Sequence, residues 1–236
     1  MREEEILETA YQNAKTLDFN QISPVVKRDI DVLMDKISSN KSLISALVTS
    51  LMKKILEPQQ DIRLHRTEKN DGSGFIGGYS ARTLDTKYTM PFFKNYFPRY
   101  ANKESSFLTL SLRAEIKWNK KEGQHLKIRN KQLKESFLNI FEQVEENNAN
   151  PTDYLQYIFA KLIALSQAEY DVFHTVQIQA NRANYLNIYL IVEMLQKHFE
   201  SKQSSRLPVI AIYSIPIFSE SYNNTFQIGE NNEQKI

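Results

Sequence analysis

Apolar residues recur at helical spacing through both ends of the chain and lose that spacing in the middle. From Glu3 to Leu17, Ile6, Leu7, Ala10, Tyr11 and Ala14 fall on one stripe, which predicts an amphipathic helix. Pro24 opens a second helix at its first turn, where its missing N–H is not needed, and the pattern continues through Val26, Ile30, Leu33 and Ile37. Ser38, Ser39 and Asn40 break it. A third helix follows over Ser42–Leu56, with Leu43, Leu47, Leu51, Met52 and Ile55 apolar, and Pro58 ends it. Further on, Asn130–Glu146 carries Leu133, Phe137, Ile140, Phe141 and Val144 on one face. Asn147–Asn150 is a loop. Asn150 then caps a helix with Pro151 at its first position and Asp153 near the positive end of the dipole. That helix is expected to run to about Ala168, and another to span Gln177–Phe199. Val209–Ser214 (VIAIYS) reads as a short buried strand or a helix start, and the Asn-rich tail as frayed.

Between these helical ends, Gln59–Ser80 follows neither the helical nor the strand period. It contains DGSGFIGGYS (Asp71–Ser80), which holds four of the chain's 6 glycines and so predicts a loop. No Gly-Lys-Ser/Thr follows, so this is not a Walker-type phosphate loop. Ala81–Tyr100 is dense in aromatic and basic residues, with Pro91 and Pro98 bracketing a short helix. Phe92, Phe93 and Phe97 read as core. Glu104–Trp118 fits a helix or a strand, and Asn119–Gln124 a polar turn. The expected fold is mainly α: a helical bundle with a Gly-rich loop and at most a small β element. Its expected parts are an N-terminal helical part (1–58), a basic, aromatic region (59–134), a second helical part (135–215) and a tail (216–236), with one compact domain as the alternative.

Composition narrows the function. Hydrophobic residues make up 41% and charged residues 25%, enough apolar material for a core. The absence of cysteine excludes disulfides, thiolate nucleophiles and Cys-based zinc sites. The start, MREEEIL, is acidic and unlike a signal peptide, and no run is apolar for the length a membrane span needs, so a cytoplasmic protein is expected. The net charge is only +2, but its distribution is uneven. Lys53–Lys134 holds 18 Lys and Arg against 8 Asp and Glu, a net of +10, and the remainder carries −8. A basic middle between acidic ends suits a polyanion, although solvation of an ordinary surface explains it equally well.

Several residues in this middle could carry chemistry. In DIRLHR (Asp61–Arg66), an extended backbone would turn Asp61, Arg63 and His65 to one face, and an Arg fork matches a phosphate or a guanine edge. The alternative is a structural Asp–Arg pair beside a surface histidine. In RTLDTKY (Arg82–Tyr88), Asp85 lies between two cations, and Glu115-Ile116-Lys117 supplies an E-x-K triplet. A magnesium-dependent nuclease needs carboxylates for the metal and a lysine near the attacking water. Asp85 and Glu115 as ligands with Lys117 therefore match PD-(D/E)xK nucleases loosely, and a plain pairing of Asp85 with Arg82 or Lys87 is the alternative. The candidate DNA contacts are Arg63, His65, Arg82, Lys87 and Arg113, interleaved with tyrosines that could stack on bases.

Longer motifs add a resemblance. DIRLH (Asp61–His65), GGYSARTLDTKYTMPF (Gly77–Phe92), FLTLSL (Phe107–Leu112), KIRNKQLKESFLNIFEQVEENN (Lys127–Asn148) and RLPVIAIYSI (Arg206–Ile215) resemble segments of the amino-terminal half of SacI-type restriction endonucleases. The resemblance covers roughly residues 28–215. It implies a homo-oligomeric, Mg²⁺-dependent type II enzyme that cuts double-stranded DNA in restriction–modification defence, with a cognate methyltransferase as its genetic partner. Leu110 stands where the resemblance leads one to expect an arginine. The tail IPIFSESYNNTFQIGENNEQKI has no counterpart, and such enzymes are longer, so the chain is expected to keep the recognition part without the catalytic core. A complete small magnesium nuclease and a helical protein-interaction module are the competing expectations.

Overall fold

The helix α3 (Ile37–Leu56) sits at the centre because its sequence offers solvent no face. From Leu43 to Met52 every side chain is buried, the hydroxyls of Ser45, Thr49 and Ser50 being bonded inside the core, and a stretch with so little polar surface must be surrounded. The computed structural model describes residues 2–182 and is mainly helical. Against α3 pack α1 (Glu3–Ala14) and a 3₁₀ turn at Ser106–Leu108, while α2 (Pro24–Met34) lies between α3 and α6 (Lys131–Glu145). The stripes expected on α1, α2 and α6 are the buried ones.

Local chemistry sets the helix ends. The Ser23 hydroxyl accepts the Val25 N–H at 3.3 Å just before Pro24. The Asn130 side-chain Oδ1 accepts the Leu133 N–H at 3.2 Å to start α6. α6 stops where Asn147 takes a φ of 57°, a left-handed conformation that Asn tolerates better than most residues. The Asn150 side chain then accepts the Thr152 N–H at 2.9 Å and opens α7 (Pro151–Arg182).

Three expectations change. The break expected at Ser38–Asn40 lies earlier: α2 ends at Met34 and α3 begins at Ile37, with a kink at Asn40. The Asn40 amide donates to the Lys36 carbonyl at 3.1 Å, so a side chain competes with the helix ladder and bends it without ending it. The short helix between Pro91 and Pro98 extends further back. α4 (Ala81–Leu84) runs through a π turn at Asp85–Thr89 into α5 (Met90–Tyr96), the wider turn coming where Pro91 cannot complete the regular ladder. Glu104–Trp118 is neither a helix nor a strand. Beyond the 3₁₀ turn, isolated bonds hold it, such as Trp118 N–H to the Arg63 carbonyl at 3.2 Å. The β content among the described residues is one bridge, Thr67 to Phe75.

Residues 2–170 form one compact unit, and of a second only residues 171–182 are described. α7 continues past the expected stop near Ala168, and residues 171–182 of the second unit are its helical continuation. The remainder of the helix expected over Gln177–Phe199, the strand expected at Val209–Ser214, and the tail lie outside the described residues. No described helix is long and apolar enough to cross a membrane.

Candidate nucleic-acid interface

DIRLHR is a turn, and this separates His65 from Asp61 and Arg63, which an extended strand would have aligned with it. The Leu64 N–H bonds back to the Asp61 carbonyl at 3.2 Å. Within the turn, Arg63 grips Asp61 with two parallel bonds, Nε to Oδ1 at 2.8 Å and Nη2 to Oδ2 at 3.0 Å. Lys117 Nζ lies 3.6 Å from the same carboxylate. Burial pushes the Asp61 carboxyl up, but the Arg63 bonds and the Lys117 charge more than offset it and leave it below its ordinary value. Arg63 is thus half of a structural pair and not an open fork for DNA.

His65 is buried, at 2% exposure, and is not a DNA contact in this structure. Its ring stacks on Trp118 at 4.1 Å and 16°, with Phe107 at 6.0 Å and Phe75 at 5.6 Å completing an aromatic cage. Neither ring nitrogen makes a hydrogen bond of ordinary geometry, although the carbonyls of Arg63 and Ala114 lie toward the ring. Burial first, and the nearby Arg66 guanidinium second, lower its pKa to about 3. The imidazole is therefore neutral and acts as one more flat ring in the core. Trp118 passes the packing on to Phe137 and Phe141 of α6, at 5.2 and 5.0 Å.

The candidate nuclease triplet does not assemble as a site. Asp85 is completely buried, and its partners are neither Arg82 nor Lys87 but hydroxyls. It accepts from Ser45 Oγ at 2.9 Å, Ser105 Oγ at 2.7 Å, and Ser106 Oγ and N–H at 2.8 Å each. These bonds tie α3, the π turn and the irregular segment into one knot. Glu115 instead pairs with Arg66 at 3.0 Å, and Lys117 with Asp61. Mg²⁺ needs oxygen lone pairs directed into an open shell, whereas the Asp85 oxygens face donor hydrogens. This donor set does not fit the metal. Among the described residues no three His, Asp or Glu side chains are grouped to hold one. The signal for the Asp85 knot lay in SLISALVTSLM, where Ser45 and Thr49 stand one helical turn apart inside an otherwise apolar helix.

The remaining candidates are on the surface. Lys87 is exposed, but it lines a groove of about 510 Å³ with Glu4, Glu5 and Glu8 of α1, an acidic wall that would repel a phosphate. Arg82 and Arg113 are exposed. Arg113 also sends its backbone carbonyl to the Arg66 guanidinium, which ties its segment to the DIRLHR turn. Tyr79 and Tyr100 are buried. Tyr79 donates to Ser50 Oγ at 2.8 Å, and its burial pushes its pKa up. Neither tyrosine can stack on a base.

A second groove, of about 340 Å³, was not anticipated from the sequence. Lys36, Lys127 and Arg129 line it with Asn40, Asn130 and Leu110, and no carboxylate does. The kink at Asn40 and the capped start of α6 form two of its walls, so the positive end of the α6 dipole reinforces the cations. Leu110, 53% exposed, stands among them, at the position where an arginine was expected. The pattern K-x-R-N before a helix start was the available signal, but nothing local joins it to Lys36, some ninety residues earlier. A scan against models of protein families finds no match for this chain, and a comparison with curated proteins finds none either.

Proposed function

We propose that this chain binds duplex DNA through cations of its basic middle together with Lys36, as the recognition segment of a type II restriction endonuclease. The observation that carries the reading is the acid-free groove of Lys36, Lys127 and Arg129, with Asn40 and Asn130 as neutral hydrogen-bonding groups. Cations spaced along a groove without a competing carboxylate neutralise phosphates, and neutral amides can bond to the same oxygens. The resemblance of the long motifs to SacI-type enzymes supplies the restriction context. The separate engagements of Asp85, Glu115 and Lys117 favour recognition over cleavage for the described part of the chain.

The test is a salt titration of affinity for a mixed-sequence duplex by fluorescence anisotropy. Wild type is expected to bind at low ionic strength, with a steep fall in affinity as salt rises. Lys127→Ala with Arg129→Ala is expected to reduce the logarithmic salt slope by about two, close to one per lost phosphate contact. Absence of binding at low salt, or an unchanged slope in the double variant, refutes the proposal.

A further inference from the structure

Ile76 is 82% exposed, more than any other large apolar residue described, and it is held there by design of the backbone around it. The Gly78 N–H closes a four-residue turn on the Phe75 carbonyl at 2.9 Å, and Gly77 within it has a φ of 72°. This is the geometry of a turn with glycine at its third position, and it sets Ile76 at the corner. The loop is clamped from both sides. Gln60 Nε2 donates to the Gly77 carbonyl at 2.8 Å, and the Phe75 N–H bonds to the Arg66 carbonyl at 3.2 Å. A Cβ at Gly78 would lie 1.9 Å from that same carbonyl, so only glycine lets the two segments approach. Phe75, next to Ile76, is rooted against the buried His65 ring.

We propose that Ile76 is a wedge that enters between two base pairs of bound DNA. The inference rests on the DNA-binding reading above and deepens it. Ile76 is followed by two glycines, so one branched side chain projects alone. One side chain is far too little for a stable protein interface, which needs about 800 Å² from each partner, but it is what parts a single base step. Lys69 is exposed on the loop beside the exposed Glu68 and Asp71, Arg66 braces the loop through Glu115, and Arg82 and Arg113, exposed on later segments, are the cations left to meet phosphates. Ordering a flexible loop would weaken such a wedge, whereas bonds from Gln60, Glu115 and Arg66 hold this one.

Parting a base step untwists the duplex, which a closed plasmid reports without knowledge of the preferred sequence. The full chain is bound to plasmid in EDTA, the DNA is relaxed with a topoisomerase, and topoisomers are resolved on a gel beside a binding measurement on the same plasmid. Wild type is expected to shift the topoisomer distribution in proportion to bound protein. Ile76→Ser is expected to abolish the shift while affinity stays within about tenfold, and Ile76→Phe to keep it. Bound plasmid with equal shifts, or no shift, in wild type and Ile76→Ser overturns the wedge and leaves DNA binding standing. If the plasmid is not bound at low salt, the DNA-binding proposal fails and the wedge fails with it.

Discussion

Lowering the pH from 7.5 to 5 should cost this fold about 2 kcal/mol through His65 alone. In the folded protein the imidazole, stacked on Trp118 and shielded from water, titrates at about 3 against 6.5 for the free side chain. Between those values the unfolded chain binds a proton that the folded chain refuses, so stability rises with pH through this window and is lost as pH falls from 6.5 toward 3. At pH 5 the loss is RT times the logarithm of about 30, or roughly 2 kcal/mol. It depends on the unfolded value and hardly at all on how far below 4 the folded one lies. Below pH 3 the full difference, about 5 kcal/mol, would be gone at 1.36 kcal/mol per pH unit. Carboxylates also titrate in this range, so the assay compares wild type with His65→Phe, which keeps a flat ring on Trp118 and cannot be protonated. Urea unfolding of both proteins at pH 7.5 and 5 gives two losses. Wild type should lose about 2 kcal/mol more than the variant, and any constant packing penalty in the variant cancels. Equal losses would mean that water or a hydrogen-bond acceptor reaches the ring, and the cage argument would fail.

Two further outcomes follow from the same structure. Asp85→Ala should destabilise the fold by about 3 kcal/mol or more, because it strands the Ser106 N–H and three hydroxyls in the core; a loss under about 1 kcal/mol in urea melts would show that those donors find other partners. Leu110→Arg adds a fourth cation to the groove lined by Lys36, Lys127 and Arg129 and should steepen the salt slope of duplex binding by about one; an unchanged slope would place the DNA backbone elsewhere.

Much of the helical frame was legible because it depends on neighbours in sequence. The Asn130 and Asn150 caps act on N–H groups two or three residues away, and the apolar stripes of α1, α2 and α6 fix which face turns inward by periodicity alone. The glycine run at Asp71–Ser80 likewise announced a loop. The same reasoning failed wherever a side chain's role depends on what packs over it. His65 and Asp85 look in sequence like polar residues among cations, and either could have faced a ligand. Tertiary packing brings Trp118 onto His65 and Ser45, Ser105 and Ser106 onto Asp85. An imidazole without water stays neutral, and a carboxylate filled with donors has no lone pair left for a metal. Lys87 was turned from a candidate phosphate contact into one wall of an acidic groove by the placement of α1.

The sequence by itself determined the helices, their caps, the loop and the concentration of positive charge between Lys53 and Lys134. Only the tertiary structure decided which charges share a surface, and it joins two of this stretch to one from outside it. Lys36 meets Lys127 and Arg129 across the α2–α3 junction and the start of α6, because burying the stripes of α2 and α6 against each other leaves their adjoining ends exposed together. Local periodicity acts over one or two helical turns, whereas the position of a charge in space is set by the burial of apolar faces far from it in sequence.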